Sequence, residues 1–247
     1  MTVGKPFRRT ARQLKDGSYA HSGNGAYVKH PDFAKDPDRY VRAFLVLQKD
    51  LLTLFDYIEP ADANHKTYSF RVHELYMRTC MEIEANFRAI LTENGYAAAG
   101  DWKLTDFRKV EVTHYLSQYS VRVPYWTGPS NVIEPFKNWT APKEPFWYSE
   151  HHAAKHSRHV NFEKANLLNL ISAMAGMVAL LSAQFHTEDF SPQASRLIIN
   201  TINDGYEEAI GGYFQVKFPK NVPAADRYDF EWEKLAKTPD PIASYGY

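Results

Sequence analysis

The chain has 247 residues, of which 44% are hydrophobic and 15% aromatic, so it is long and apolar enough to bury a substantial core. Its 29 basic and 29 acidic residues cancel, which excludes a global electrostatic attraction to nucleic acid or to an anionic membrane. Any binding to such partners must therefore be local. The single cysteine, Cys80, excludes an internal disulfide and lies in an apolar helical pattern, where a buried thiol is expected.

The N-terminal sequence MTVGKPFRRT lacks the apolar run of a signal peptide. The longest apolar stretch without a charge, residues 170–183, has fourteen residues, which is too few to span a bilayer comfortably. We therefore expect a cytoplasmic protein with no membrane partner.

Residues 1–37 show no sustained hydrophobic period and contain several glycines and prolines, which predicts an extended, partly ordered arm. The first sixteen residues of this arm form the clearest basic run of the chain. The five cations of this run are Lys5, Arg8, Arg9, Arg12 and Lys15. Such a run is typical of a solvated arm, and the alternative is an arm that contacts phosphate groups.

A single helical domain is predicted over residues 38–236, with two long antiparallel helices at its core. Apolar residues at helical spacing predict a first helix over 38–58 and a second over 66–94. Gly95 is the expected terminator of the second helix. A shorter third helix is predicted over 106–119.

The pattern then changes to that of a small β-hairpin. Residues 119–123 alternate in polarity, residues 127–131 carry a turn signal, and residues 131–136 supply a return strand. The hairpin indicates an insertion in a helical scaffold. Residues 134–150, rich in proline and aromatic side chains, predict a packed irregular loop before a fourth helix that starts near Tyr148.

A fifth helix is predicted over 162–185, and it is apolar nearly all round, so it should be the most buried element. Small residues within it, including Gly176, suit the close approach of a neighbouring helix. The C-terminal region is expected to be irregular. Its weak signals are a helix or strand over 195–202, a strand over 212–218, a short helix over 228–236 and a loose tail over 237–247.

Four of the ten histidines fall within nine residues of the predicted fourth helix. On a continuous helix His152, His156 and His159 share one face, and Lys155 and Arg158 lie beside them. Histidine exchanges protons near neutral pH, while lysine and arginine stabilise developing negative charge. The pattern therefore suits chemistry on an anionic substrate. The alternative is a polar helix face whose histidines cap or hydrogen-bond the adjoining loop.

Two acids and an amide, Glu82, Glu84 and Asn86, lie midway along the second predicted helix. Helical geometry puts Glu82 and Asn86 on one face and turns Glu84 away from Glu82 by about 200°. We therefore predict that Glu82 or Asn86 hydrogen-bonds a side-chain nitrogen of the histidine-rich segment. The alternative is that Glu82 is exposed or paired with Arg78.

A metal site is a weaker alternative. His152 and His156 have a spacing that can bind one zinc ion, with Glu82 or His73 as a third ligand. Ala153 stands where a zinc protease motif has glutamate, and the sequence lacks the two Glu-x-x-His motifs of a di-iron bundle. We therefore predict no metal ion and no other cofactor.

Five segments carry a resemblance to known proteins. They are CMEIEANFRAIL at 80–91, PFKNW at 135–139, FWY at 146–148, KHSR at 155–158 and NFEKANL at 161–167. In these segments the chain resembles a group of uncharacterised bacterial proteins that is similar to the HEPN superfamily of helical domains. The resemblance covers about residues 65–185.

This resemblance implies an up-and-down core of four or five helices, a homodimer and, in many members, metal-independent RNA cleavage in defence or toxin systems. The family signature is an arginine four to six residues before a histidine, supported by a polar residue from an earlier helix. The basic pair is matched here by His156 and Arg158 in reversed order. Arg108 and His114 have the family spacing but lie on the third predicted helix.

The resulting hypothesis is a metal-independent endoribonuclease acting on RNA in a bacterial defence or toxin-type system. Its candidate catalytic residues are His156, Arg158, Lys155, Glu82, Asn86 and His152. The alternative is a non-catalytic helical interaction or assembly module in which the Lys-His-Ser-Arg segment is structural. We expect a homodimer, with the second and fifth helices forming a shared face, and a partner protein from the same system.

Overall fold

The structure, a computed structural model, describes residues 1–19, 24–140, 143–190 and 204–247. The described chain is mainly α-helical and has a small antiparallel sheet, which confirms the predicted fold class at this level. The helices are α1 (Pro37–Phe55), α2 (Phe70–Glu93), α3 (Leu104–Phe107), α4 (Glu111–His114), α5 (Phe146–His156), α6 (Arg158–Asn161), α7 (Leu167–Phe185) and α8 (Trp232–Leu235). The strands are β1 (Ser120–Arg122), β2 (Val132–Ile133), β3 (Glu207–Glu208) and β4 (Gln215–Lys217). The element predicted over 195–202 lies outside the described residues.

The second predicted helix is present as α2 with defined signals at both ends. The Ser69 hydroxyl accepts a hydrogen bond from the Val72 amide at 3.2 Å, which satisfies a donor that the first turn leaves unpaired. After Asn94 the chain passes through Gly95, whose φ of 86° lies in the left-handed region that glycine adopts readily. The predicted terminator is therefore confirmed.

The prediction of one continuous helix over 106–119 is wrong. α3 and α4 are short helices joined by a 3-10 turn, and the helical path stops where Tyr115 takes a φ of 51°. The Glu111 carboxylate accepts hydrogen bonds from the Ser117 backbone N–H at 3.0 Å and from the Ser117 hydroxyl. These bonds stabilise a tight reversal that directs the chain towards β1.

The predicted hairpin is confirmed, and it forms part of a larger sheet. β1 pairs with β2, with Val121 opposite Ile133, and β4 pairs with the other edge of β1, with Val121 opposite Val216. β3 pairs with β4, so the strand order is β2-β1-β4-β3. C-terminal strands thus satisfy the backbone groups that a two-stranded hairpin would leave unpaired on that edge.

The expected antiparallel arrangement holds for α1 and α2. Asp50, in the second half of α1, pairs with Arg78 on α2 at 2.5 Å. At the opposite end of both helices, the Lys35 amide donates to the Glu93 carboxylate at 3.0 Å. One contact at each end of the pair therefore shows that the two helices run in opposite directions.

In contrast to α1 and α2, the helices α2 and α7 run parallel to each other. Their starts are joined where the Leu167 amide donates to the Thr67 carbonyl at 2.9 Å. Near their ends, the Gln184 side-chain amide donates to the Asn86 side-chain oxygen at 2.9 Å. The chain between them includes α5, which runs in the opposite direction to α2 and returns the chain to the end of the bundle where α7 begins.

α7 is buried along nearly its whole length. By its length and its mean hydropathy of 1.6 it could cross a bilayer, but 94% of the apolar window is buried within the protein, as in a core helix. A Cβ atom at Gly176 would lie 3.1 Å from the Trp147 ring, so glycine lets α5 approach closely. The predicted close approach is confirmed inside the chain, and α7 therefore does not supply the expected face for a second copy.

The N-terminal segment is not a solvated arm, and two of its cations, Arg9 and Arg12, are too buried to contact phosphate groups. Arg9 and Arg12 have exposed fractions of 0% and 3%. Arg9 donates hydrogen bonds to the Glu93 carboxylate at 2.7 Å and to the Gln184 side-chain oxygen at 3.0 Å. A third hydrogen bond, at 2.6 Å, reaches the Lys35 carbonyl. These partners replace water around the guanidinium, which is why the charge is tolerated inside the core.

The C-terminal tail is not loose. Ile242 is 1% exposed, and the Arg8 amide donates to the Ala243 carbonyl at 3.0 Å. The Tyr245 amide donates to the Asn94 side-chain oxygen at 2.8 Å. The two terminal segments are therefore held together by backbone pairing, which a hydrophobicity pattern does not reveal.

We expect Arg9→Ala to lower the free energy of unfolding by about 3 to 5 kcal/mol, because it leaves the Glu93 carboxylate half-buried without its cation. Lys15→Ala is the matched control. It removes an exposed cation whose pair with Asp229, at 3.4 Å, is worth about 0 to 1 kcal/mol. Urea unfolding of both variants measures the difference. Equal losses for the two variants would contradict the structural role of Arg9.

Stability should also fall in mild acid because His114 is buried in neutral form. Burial lowers the pKa of His114 to about 3, whereas an unfolded histidine titrates near 6.5. The free energy of unfolding does not depend on the protonation of His114 above about pH 6.5. Below that pH it falls by about 1.4 kcal/mol per pH unit until the pH reaches the folded pKa. Urea unfolding at about pH 7.5 and about pH 5 measures this loss. His114→Gln should give a shallower dependence, and an unchanged slope would contradict this assignment.

Candidate functional site

One face of α5 packs against the core, and the opposite face is exposed to solvent. Trp147 is fully buried, and its indole N–H donates to the Pro135 carbonyl at 2.9 Å. Ala154 is also fully buried on this face. The Tyr76 hydroxyl of α2 donates to the Trp147 carbonyl. The remaining face of α5 therefore points outward.

α5 runs antiparallel to α2, as expected. Near the start of α5, the Tyr148 hydroxyl donates to the Glu84 carboxylate at 2.9 Å. Beyond its end, the Arg158 guanidinium lies 6.0 Å from the centroid of the Phe70 ring, at the start of α2. Glu84 and Phe70 thus mark the two ends of the surface that α5 covers.

The outward face of α5 carries three predicted site residues, and the structure brings them together. His152, Lys155 and His156 are all exposed. The ring centroids of His152 and His156 are 5.8 Å apart, with 53° between the ring planes. Two imidazoles and a primary amine therefore share one solvent-facing surface.

The predicted alignment of His159 with the other two histidines is not formed. α5 ends at His156, and Ser157 takes φ and ψ of −137° and 52°, outside the helical region. Arg158 and His159 lie on the separate helix α6, where both are exposed. The break keeps Arg158 near the end of α5 but removes the i+7 relation that a continuous helix would have given.

Glu82 does not contact the histidine cluster, so this part of the predicted site is wrong. It is half-buried and lines a groove of about 410 Å³ between α1 and α2, together with Arg39, Ala43 and Glu93. Burial raises the pKa of Glu82 above its usual range. The reason is the helical turn itself, since α1 packs on the side of α2 that carries Glu82.

Asn86 is also absent from the cluster, because it is a core residue. It is fully buried, and its side-chain amide donates to the Glu82 backbone carbonyl at 2.8 Å. Its side-chain oxygen accepts the hydrogen bond from Gln184, which in turn accepts one from Arg9. Asn86 therefore belongs to the buried polar network that joins α2, α7 and the N-terminal segment.

Glu84, which was not among the predicted site residues, is the acid that faces α5. Besides the hydrogen bond from Tyr148, it forms an ion pair with Arg88 at 3.4 Å. A signal was present, because Glu84 lies four residues after Cys80 and eight after Tyr76, on the stripe that packs against α5. An acid on such a stripe requires a polar partner.

His151 is a second residue of this site that was not among the predicted site residues. It is 1% exposed, and its Nδ1 atom has no hydrogen-bond partner among the described residues. Burial, and then the positive potential of His152 and Lys155, lowers the pKa of His151 to about 4. The imidazole is therefore neutral at pH 7, with a lone pair free to accept a hydrogen bond or bind a cation.

Glu84, His151 and His152 form a group that can hold a metal ion. One ligand atom from each side chain lies within 4.8 Å of the other two. Within the described residues this set replaces the predicted alternative, which combined His152 and His156 with Glu82 or His73. His73 instead packs its ring 5.7 Å from the Phe162 ring.

The spacing of Arg108 and His114 does not define a second site. His114 is 2% exposed, and its Nε2 atom lies 2.7 Å from the Arg9 carbonyl oxygen. Its Nδ1 atom lies 2.7 Å from the Thr113 hydroxyl. Both ring nitrogens therefore have structural partners, and His114 has no access to a substrate.

Comparison of the chain with protein-family models, curated proteins and solved structures gives no significant match.

Proposed function

We propose that this chain is a metal-independent endoribonuclease whose site is the outward face of α5 and the adjoining start of α6. The observation that carries the proposal is the pair of exposed imidazoles of His152 and His156, with ring centroids 5.8 Å apart. Lys155 and Arg158 are exposed beside them. This set combines two imidazoles, the side-chain type that most often serves as general acid or base, with two fixed cations.

The chemistry needs no metal ion if RNA supplies its own nucleophile. One imidazole accepts the proton of the ribose 2′-hydroxyl, whose oxygen attacks the adjacent phosphorus. The other imidazole donates a proton to the departing 5′-oxygen, so that the products are a 2′,3′-cyclic phosphate and a 5′-hydroxyl. His156 and His152 take these two roles, and Lys155 and Arg158 stabilise the negative charge that develops on the phosphorane oxygens.

Exposed aromatic side chains beside the cations favour a single-stranded substrate. Phe70 is 69% exposed, and its ring lies 6.0 Å from the Arg158 guanidinium. A base that stacks on such a ring gains about 1 to 3 kcal/mol. Because the net charge of the chain is zero, this local surface must supply the attraction to phosphate.

The wider biological role rests on the resemblance of the sequence motifs. We propose a HEPN-like fold, a cytoplasmic location, and a role in a bacterial defence or toxin-type system with a partner protein. We also propose a homodimer. Because α7 is buried, a dimer would use the outward surface of α2, where Met81 is 62% exposed.

Cleavage of structured and unstructured RNA in EDTA tests the proposal. We expect His156→Ala to reduce the cleavage rate by about 10² to 10⁴-fold, the usual contribution of general acid–base catalysis. Glu82→Ala is the control, because Glu82 lies in the groove between α1 and α2 and should leave the rate unchanged. The folding of both variants is checked by circular dichroism. Cleavage that survives His156→Ala, or that requires a metal ion, would overturn the mechanism.

The second candidate is a non-catalytic interaction module. It is favoured by one observation, namely that neither Glu82 nor Asn86 reaches the histidines to orient them. In this module the Lys-His-Ser-Arg segment is structural. Folded protein that cleaves no RNA, alone or with a partner protein, would support the module over the enzyme.

A further inference from the structure

We propose that Glu84, His151 and His152 form a binding site for one divalent transition-metal ion of the zinc class. Their ligand atoms lie within 4.8 Å of one another and come from two helices, α2 and α5. This site goes beyond the proposed ribonuclease activity, which needs no metal ion. It is tested by metal binding alone, so it does not depend on that activity.

The unsatisfied nitrogen of His151 is the second observation. The side chain is 1% exposed, and its Nδ1 atom is buried without a hydrogen-bond partner in the described structure. Buried polar atoms are nearly always paired, and an exception needs a physical explanation. An imidazole held inside the protein beside a carboxylate and a second imidazole is explained if it is positioned for a ligand.

Tyr148 holds this group of residues in place. Its hydroxyl donates to Glu84 at 2.9 Å, and its ring lies 4.9 Å from the His152 ring and 5.8 Å from the His151 ring, between centroids. Metal ligands are commonly oriented by an outer hydrogen-bonding residue of this kind. Arg88 also contacts Glu84, at 3.4 Å, but each carboxylate oxygen has a further lone pair for a cation.

The ligand types indicate the class of metal. Two imidazole nitrogens and one carboxylate oxygen suit zinc, whereas calcium and magnesium prefer oxygen ligands alone. In a tetrahedral zinc site the ligand atoms are about 3.4 Å apart, so the three atoms must draw closer. His152 is exposed, and the fourth position on its side would be open to water.

Occupation of the site would also regulate the proposed activity. A metal ion bound to His152 takes up the nitrogen lone pair that otherwise accepts or transfers a proton. Zinc should therefore inhibit RNA cleavage, whereas a metal-dependent enzyme would be activated. This consequence rests on the proposed function, but the binding site itself does not.

Calorimetric titration of the full chain with Zn²⁺, after EDTA treatment and buffer exchange, tests the site. We expect one ion per chain, and a tetrahedral Co²⁺ absorption spectrum when cobalt replaces zinc. Glu84→Gln and His152→Ala should each weaken binding at least about 100-fold, because each removes a direct ligand. His159→Ala, an exposed histidine on α6, is the matched control and should bind as the original chain does.

Thermal melting separates loss of a ligand from loss of the fold. Zinc should raise the melting temperature of the original chain and of His159→Ala, but not that of Glu84→Gln or His152→Ala. The inference is overturned if the original chain binds no ion, or if His159→Ala weakens binding as much as His152→Ala. Cleavage assays in EDTA are performed separately, so failure of the metal site and failure of the ribonuclease are distinguishable.

Discussion

The buried guanidinium of Arg9 is the contact on which the arrangement of the long helices depends. It reaches Glu93 on α2 and Gln184 on α7, and it lies 4.4 Å from the centroid of the Tyr40 ring on α1. Arg9 also takes a φ of 53°, a conformation that costs about 1 to 2 kcal/mol for a residue with a Cβ atom. A strained backbone is retained here because the planar fork of donors can satisfy acceptors on separate helices at once.

Local pattern was enough to predict the three long helices, because burial of a helix leaves a repeat of apolar residues in the sequence. α1, α2 and α7, the hairpin, and the Gly95 terminator all have such signals. The direction of α7 relative to α2 had none, since it depends on the path of the chain between them. The burial of Arg9 was also hidden, because a cation in a basic run has the same local sequence whether water or Gln184 surrounds it.

The candidate site was predicted in part, and the error has a simple geometric cause. His152, Lys155 and His156 share an exposed face because positions three and four apart lie together on a helix. The acid that meets α5 is Glu84 and not Glu82, since a two-residue step turns the side chain by about 200°. Choosing between them requires knowledge of which neighbour covers each side of α2, and a single amphipathic helix does not contain that information.

The pairing of the two terminal segments has a consequence for the order in which the protein assembles during synthesis. The Tyr228 hydroxyl donates to the Thr10 carbonyl across 218 residues, and the Thr2 hydroxyl donates to Asp229 across 227 residues. A ribosome releases the N-terminal segment first, and these partners are synthesised 218 and 227 residues later. Until then Ala11 and Leu14, which are buried in the folded protein, are not fully covered. Contacts between residues so far apart in the sequence also form slowly. The N-terminal segment is therefore exposed to chaperones and proteases while the residues between these partners are synthesised.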